Sequence, residues 1–172
     1  MTGPKLLALM VGLGLAATAS GAAAQDLRFS QDATMACMAV AADSAAKKAC
    51  IGKSAELCMT ATIDGGTTVG MGGCLDREFQ LWDAMLNAAY TDARSKAKAN
   101  DEEMKQIGAT VPLMEPALRD MQRAWIPYRD ATCDFERSQW GGGTGGGPAT
   151  IGCLLRLTGE QAIYLADIWT GY

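Results

Sequence analysis

The chain has 172 residues, with 15 Lys or Arg against 19 Asp or Glu, a formal net charge of −4 and no histidine. The acidic balance argues against a nucleic-acid-binding protein, because phosphate contacts require clustered Lys and Arg. The lack of histidine excludes Ser-His-Asp and Cys-His catalysis and a histidine-ligated zinc site.

The first 24 residues are predicted to be an export signal. Lys5 supplies a positive start, Leu6 to Ala17 is apolar, and small residues precede a cleavage site between Ala24 and Gln25. The apolar run is shorter than the roughly 20 residues that span a bilayer. We therefore expect a periplasmic or secreted protein without a stable membrane span in its mature chain. The net charge of −4 becomes −5 once Lys5 is removed.

Six cysteines in an exported chain are typical of three disulfides. Proximity along the chain favours the pairs Cys37–Cys50, Cys58–Cys74 and Cys133–Cys153. A nested arrangement of the first four, for example Cys37–Cys58 with Cys50–Cys74, is the alternative. No C-x-x-C spacing is present, so the sequence predicts neither a metal site nor a cofactor.

The first half of the mature chain is predicted to be helical around one glycine-rich loop. Residues 31–58 are alanine-rich and predict one or two short helices that break near Ile51-Gly52. Residues 62–73 contain five glycines and predict a loop closed by Cys58–Cys74. From Cys74 to about Ala99, apolar residues at spacings of three and four predict a long helix, with Asn100 and Asp101 at its end.

The second half repeats this order of helix and loop. Residues 113–137 predict a long helix with a kink at Pro127, and residues 139–148 predict a flexible glycine loop. Residues 149–157 predict a short helix, and the capping-box spacing at Thr158 predicts the start of a last helix. No strand periodicity is visible, so we expect an all-α fold, a small helical bundle clamped by disulfides.

The acidic side chains do not form a recognisable catalytic pair. Asp76 and Glu78 are two residues apart and should lie on different sides of a helix, so the sequence favours a solvated acidic face. Arg129 is expected to pair with a carboxylate of the preceding helix such as Asp83, and Trp125 is expected in the core. We predict no catalytic residue and expect that the protein is not an enzyme.

A specific string of residues lies in the second long helix, with Leu118 ahead of Gln122-Arg123-Ala124-Trp125-Ile126-x-Tyr128-Arg129-Asp130-Ala131-x-Cys133. Cys58, Cys74 and the sequence Leu86-Asn87-x-x-Tyr90 precede it, and Cys153 and Thr158 follow a glycine-containing loop. In this order of features the chain resembles the LprI-like lysozyme-inhibitor domain family over about residues 58–168. The family motif covers Gln122, Trp125, Tyr128, Arg129 and Asp130.

The resemblance implies a small exported helical domain at 58–172, preceded by an N-terminal helical extension at 25–57. It also implies lysozyme inhibition, the known activity in the family. One departure is Gln161, which stands where such domains usually carry an arginine.

The sequence therefore favours an exported, non-catalytic binding protein that inhibits lysozyme-type cell-wall hydrolases. A structural or adaptor protein of the cell envelope is the alternative. An acidic protein would be attracted to a basic lysozyme-type muramidase or to another basic envelope protein. The candidate partner-binding residues are Asp64, the one charge in the first glycine loop, and Trp140, the one large side chain in the second.

Overall fold

The computed structural model describes residues 26–169, so the predicted export signal lies outside the described residues. Within that range there are six helices and no strand, which confirms the all-α prediction. The helices are α1 (Asp32–Val40), α2 (Ser44–Lys48), α3 (Lys53–Ala61), α4 (Thr68–Gln106), α5 (Met114–Ser138) and α6 (Gly146–Asp167).

The three long helices form an up-down-up bundle. α4 and α6 run in the same direction, because a Cβ at Gly72 would touch Ile151 and one at Gly159 would touch the Trp82 ring. α5 runs in the opposite direction. Cys133, near the end of α5, is bonded to Cys153 in the first half of α6, whereas the start of α5 lies beside the end of α6. The N-termini of α4 and α6 therefore lie at the same end of the bundle.

The core lies between α4 and α6. Trp82 is fully buried at its centre, and Ala55 of α3 joins the cluster. Its other buried members are Leu86, Leu155, Ala162, Ile163 and Leu165. The spacing of four between Trp82 and Leu86 places both side chains on one stripe of α4, as the sequence pattern predicts.

The short N-terminal helices pack on α4 and α6. Cys37–Cys50 ties α1 to the residues that follow α2, and Cys58–Cys74 ties α3 to α4. The favoured pairing of neighbouring cysteines is thus present, and the nested alternative is wrong. Gly52, with φ of 94°, makes the turn into α3 at the predicted break, although the segment holds three helices instead of one or two.

Both glycine-rich segments are shorter as loops than the sequence predicts. α4 begins at Thr68, so the last six residues of the predicted 62–73 loop are helical. α6 begins at Gly146 and continues to Asp167, so the predicted break at Thr158 is also wrong. Thr158 and Gly159 are buried, and Gly159 lies where a Cβ would come within 2.7 Å of Ile51. A larger residue there would have to displace the Ile51 side chain, so glycine allows α6 to pack closely at this point.

The hairpin between α4 and α5 also differs from the prediction. α4 continues through Asn100 and Asp101 to Gln106. The Asp101 carboxylate instead accepts hydrogen bonds from the backbone N–H groups of Met114 (2.7 Å) and Glu115 (2.9 Å). It therefore caps the start of α5, whose N-cap residue Leu113 has no side chain for that purpose. α5 remains helical through Pro127.

Candidate partner-binding site

Two corners of the chain meet at one end of the bundle, which we call the loop end. The first corner, residues 62–67, leads into α4, and the second corner, residues 139–145, leads into α6. Because α4 and α6 are parallel, the two corners lie side by side. The two partner-binding candidates from the sequence, Asp64 and Trp140, are thus brought to the same end of the molecule.

The first corner is tightly packed. A Cβ at Gly70 would overlap the carbonyl oxygen of Asp64, and one at Gly65 would come within 2.5 Å of the Cys58 carbonyl oxygen. The Thr67 hydroxyl donates to the Asp64 carbonyl oxygen at 2.7 Å and accepts from Gly70 N–H at 3.0 Å, which caps α4. The Asp64 backbone therefore holds the corner together, while its side chain is exposed.

The second corner is also ordered by its own contacts. The Trp140 ring covers Gly145 so closely that a Cβ there would clash with the ring. The Trp140 carbonyl accepts from Gly143 N–H at 3.0 Å, and Gly141 has a φ of +55°. The Cys133–Cys153 disulfide links the helices on either side. The glycines of this corner allow its tight turns and the close contact with an aromatic ring.

An open groove runs between the two corners. Val69, Gly72 and Asp76 line it from α4, and Thr144, Pro148 and Ile151 line it from the α6 side. Beside it, Ile63 and Val69 are exposed, and Trp140 is 53% exposed. Asp64 and Asp76 are exposed and make no ion pair within residues 26–169. The loop end thus combines apolar side chains with unpaired negative charge.

Glu78 does not share the solvated face expected for it. It is fully buried, and its carboxylate accepts hydrogen bonds from the Thr34 hydroxyl (2.7 Å), Gly52 N–H (2.8 Å), Ala55 N–H (2.6 Å) and the Trp82 indole N–H (3.1 Å). Two of these donors belong to the first turn of α3, where a negative charge is favourable. Glu78 therefore caps α3 from α4.

The sequence signal for Glu78 is its spacing. Glu78 lies four residues after Cys74 and four before Trp82, and all three face the core. The two-residue separation of Glu78 from Asp76 does not reveal that Glu78 faces the core. Because solvent and ligands cannot reach its carboxylate, Glu78 has a structural role and no access to a substrate.

The motif residues of α5 join this helix to α6. The Gln122 side-chain oxygen accepts from the Gln161 side-chain amide at 2.9 Å, and both residues are buried. Trp125 packs against the core, and the Arg129 guanidinium lies 5.1 Å from its ring centre. Gln161 thus provides a neutral, buried partner for Gln122.

One expectation for this motif needs correction. Arg129 forms its ion pair with the adjacent Asp130, at 2.7 Å, and not with Asp83. Tyr128, next to it, is 61% exposed. The outer face of α5 therefore carries an aromatic side chain that the bundle itself does not use.

No helix between residues 26 and 169 is long and apolar enough to cross a membrane. The described residues also contain no cluster of three or more acidic or cysteine side chains that could hold a metal ion.

Comparison with known families decides the relationship of this chain. The family model described as lysozyme inhibitor LprI matches residues 58–165. The chain belongs to the lysozyme inhibitor LprI family. The match begins at Cys58 and includes two of the three disulfides, Glu78 with its donor Trp82, and the α5 motif.

Two curated relatives are similar to this LprI family member. An uncharacterized 17.7 kDa protein from the puhA 5′ region of Rhodobacter capsulatus is 30% identical over 160 residues, which cover 92% of this chain and 93% of the relative. An uncharacterized protein of Rhizobium meliloti (strain 1021) is 33% identical over 95 residues, which cover 55% of this chain and 68% of the relative. No solved structure matches the chain significantly.

Proposed function

We propose that this protein is a non-catalytic inhibitor of a lysozyme-type cell-wall hydrolase and that it acts in the periplasm or as a secreted protein. Family membership supports the inhibitory function. Three disulfides support an oxidising compartment. The domain responsible is proposed to span residues 58–172, with residues 25–57 as a helical extension that packs on α4 and α6.

The observation that carries the proposed binding mode is the exposure of Trp140 on a corner where its ring packs on Gly145. Aromatic side chains dominate the binding energy of protein interfaces. Here the tryptophan is held by its contact with Gly145 and by the turns of the second corner. A preorganised side chain loses little conformational entropy on binding. The loop end can therefore enter a partner's cleft without first becoming ordered.

The unpaired charges at the same end favour a basic partner. Asp76 lines the groove and Asp64 lies on the adjoining corner. Such charges mainly accelerate association and weaken with added salt, because exposed charges are screened. The two aspartates would therefore contribute attraction and orientation, and Trp140 would contribute contact energy.

The test is inhibition of lysozyme-catalysed lysis of bacterial cell walls, followed by turbidity. Trp140→Ala should raise the inhibition constant at least about tenfold while leaving the melting temperature nearly unchanged. Tyr164→Ala is the matched control, because Tyr164 is 52% exposed but lies near the opposite end of the bundle. It should inhibit as well as the parent. Equal inhibition by both variants would place the binding site elsewhere, and no inhibition by the parent would refute the function.

A second experiment addresses charge. Asp76→Asn should weaken inhibition a few-fold at low ionic strength, and the difference should shrink as salt is added. Glu103→Gln removes one exposed acid near the far end of α4 and should have no comparable effect. An identical response to both substitutions would show that net charge matters and the groove does not.

A further inference from the structure

One face of α5 has no partner in the bundle. Among the described helices, α5 contacts only α4 and α6, whereas α1–α3 pack against one another and on α4 and α6. The side of α5 turned toward the bundle carries the buried Gln122 and Cys133. The opposite side is therefore open to solvent along the length of the helix.

A seven-residue repeat of small and large side chains occupies this open side. The small residues recur at every seventh position, at Ala117, Ala124, Ala131 and Ser138, and all are exposed. The large residues recur with the same period, at Met121, Tyr128 and Phe135. Tyr128 is 61% and Phe135 is 65% exposed, whereas Met121 lies at the border of this side, half-buried, and also packs against the core of the bundle. Alternating spacings of three and four residues are the pattern by which two helices pack as a coiled coil.

The repeat is complementary to itself when two copies run antiparallel. With the centre of the contact between Tyr128 and Ala131, each large side chain faces a small one. Tyr128 then lies opposite Ala131 of the second copy, Phe135 opposite Ala124, and Met121 opposite Ser138. An aromatic ring set against an alanine allows close approach of the two helices, which a contact between two aromatic residues would prevent.

The charges beside the repeat are also complementary in this arrangement. Arg123, Asp134, Arg137 and Asp120 flank the same edge of the repeat, and all four are exposed. In the antiparallel pair, Arg123 lies within about 3 Å along the helix axis, two residues, of the level of Asp134 of the second copy, and Arg137 lies at the same offset from Asp120. Within residues 26–169, Arg123, Asp134 and Arg137 make no ion pair, and Asp120 makes one long contact of 3.7 Å with Arg119. The charges are thus available for contacts between copies.

We propose that the outer face of α5 binds the same face of a second copy and forms an antiparallel, twofold-symmetric dimer. A twofold interface requires a self-complementary surface, and this face is self-complementary in both side-chain size and charge. The contact between the two copies runs from Met121 to Ser138 and is about 27 Å long at 1.5 Å per residue. A single pair of helices of this length gives an interface at the small end of the range, so the dimer should dissociate in the micromolar range. Both loop ends remain free, at opposite ends of the dimer.

Sedimentation equilibrium of the purified protein over a series of concentrations tests the proposal. The parent should show a reversible monomer–dimer equilibrium. Ala131→Glu places charge at the centre of the contact and should raise the dissociation constant at least about 100-fold. Ala88→Glu is the control, since Ala88 is an exposed alanine on α4, and it should dimerise like the parent. A parent that stays monomeric at about 100 µM, well above a micromolar dissociation constant, or equal dimerisation of Ala131→Glu and the parent, would overturn the proposal.

Charge reversal tests the antiparallel arrangement independently of folding. Arg123→Asp or Asp134→Arg alone creates like-charge contacts and should raise the dissociation constant about tenfold each. The double variant exchanges the two charges and should return to within about threefold of the parent. Losses that simply add in the double variant would show that these residues do not face each other across the dimer.

Discussion

The two ends of the bundle are held together by different interactions. Near the loop end, two disulfides join α3 to α4 and α5 to α6, and the buried Glu78 carboxylate gathers four donors further along α4. At the opposite end, the Asp101 cap, the Arg94–Glu115 ion pair and the Lys47–Asp167 ion pair hold the helices without any covalent link. Buried and covalent links therefore support the proposed binding surface, whereas partly exposed polar links close the far end.

This difference has a physical consequence. Removing an acceptor from a buried centre leaves several donors without water or partners, which is costly. Removing one member of an exposed pair lets water replace it, so the loss is small. Substitutions near the loop end should thus destabilise the protein more than those at the far end.

The largest effect is expected for Glu78→Gln. The amide keeps the size of the side chain but removes the charge. Its NH₂ group is a hydrogen-bond donor and would face groups that are themselves donors. The free energy of unfolding should fall by about 3–5 kcal/mol. Urea denaturation of the non-reduced protein measures this, with Asp76→Asn as an exposed control that should stay within about 0.5 kcal/mol of the parent. A loss below 1 kcal/mol would mean that the centre behaves like an exposed pair.

The next effect is expected when Cys133 and Cys153 are both replaced by serine. Their sequence separation of 20 corresponds to about 3 kcal/mol in the loop-entropy treatment of disulfides. The same denaturation experiment measures the loss. An unchanged midpoint would show that contacts between α5 and α6 alone hold the second corner in place.

A smaller effect is expected at the far end for Asp101→Ala. The substitution removes the acceptor for the first N–H groups of α5 and should cost about 1 kcal/mol, the usual value for a helix cap. Glu102→Ala, one residue later and exposed, provides the comparison. A loss as large as that of Glu78→Gln would contradict the distinction between the two ends.

The smallest effect should appear only with acid. Hydrogen bonds from Lys47 and then Ser44 hold the pKa of the Asp167 carboxyl below its ordinary value of 3.8. A carboxyl with a lowered pKa stabilises the folded state above its unfolded pKa, and this stability is lost as pH falls through the folded pKa. The parent should therefore exceed Asp167→Asn in stability by less than about 1 kcal/mol at pH 6.

The difference between parent and Asp167→Asn should decline below about pH 4, the ordinary range of this carboxyl. Thermal melts of both proteins from pH 6 to pH 2 provide the measurement. A difference that does not change with pH would show that the carboxylate charge contributes nothing.

Much of the fold could be predicted from local patterns. The spacing of apolar residues located α4 and α5, and the turn at Gly52 follows from glycine chemistry. Proximity of the cysteines indicated the three disulfides that form. The candidate site was predicted only in part, because Asp64 and Trp140 could be singled out but the parallel course of α4 and α6 that brings them together could not.

The sequence by itself determined the helical class and favoured the disulfide pairs that form, because both depend on residues that are close along the chain; the structure excluded the nested pairing. Tertiary structure decided which glycines bend the chain and which lie inside helices. Gly70 and Gly159 are helical although glycine costs about 1 kcal/mol relative to alanine in a helix. A Cβ at either position would clash with a neighbouring segment. Tertiary structure also decided the buried, capping role of Glu78, because its four donors come from residues up to 44 positions away that meet only in the folded protein.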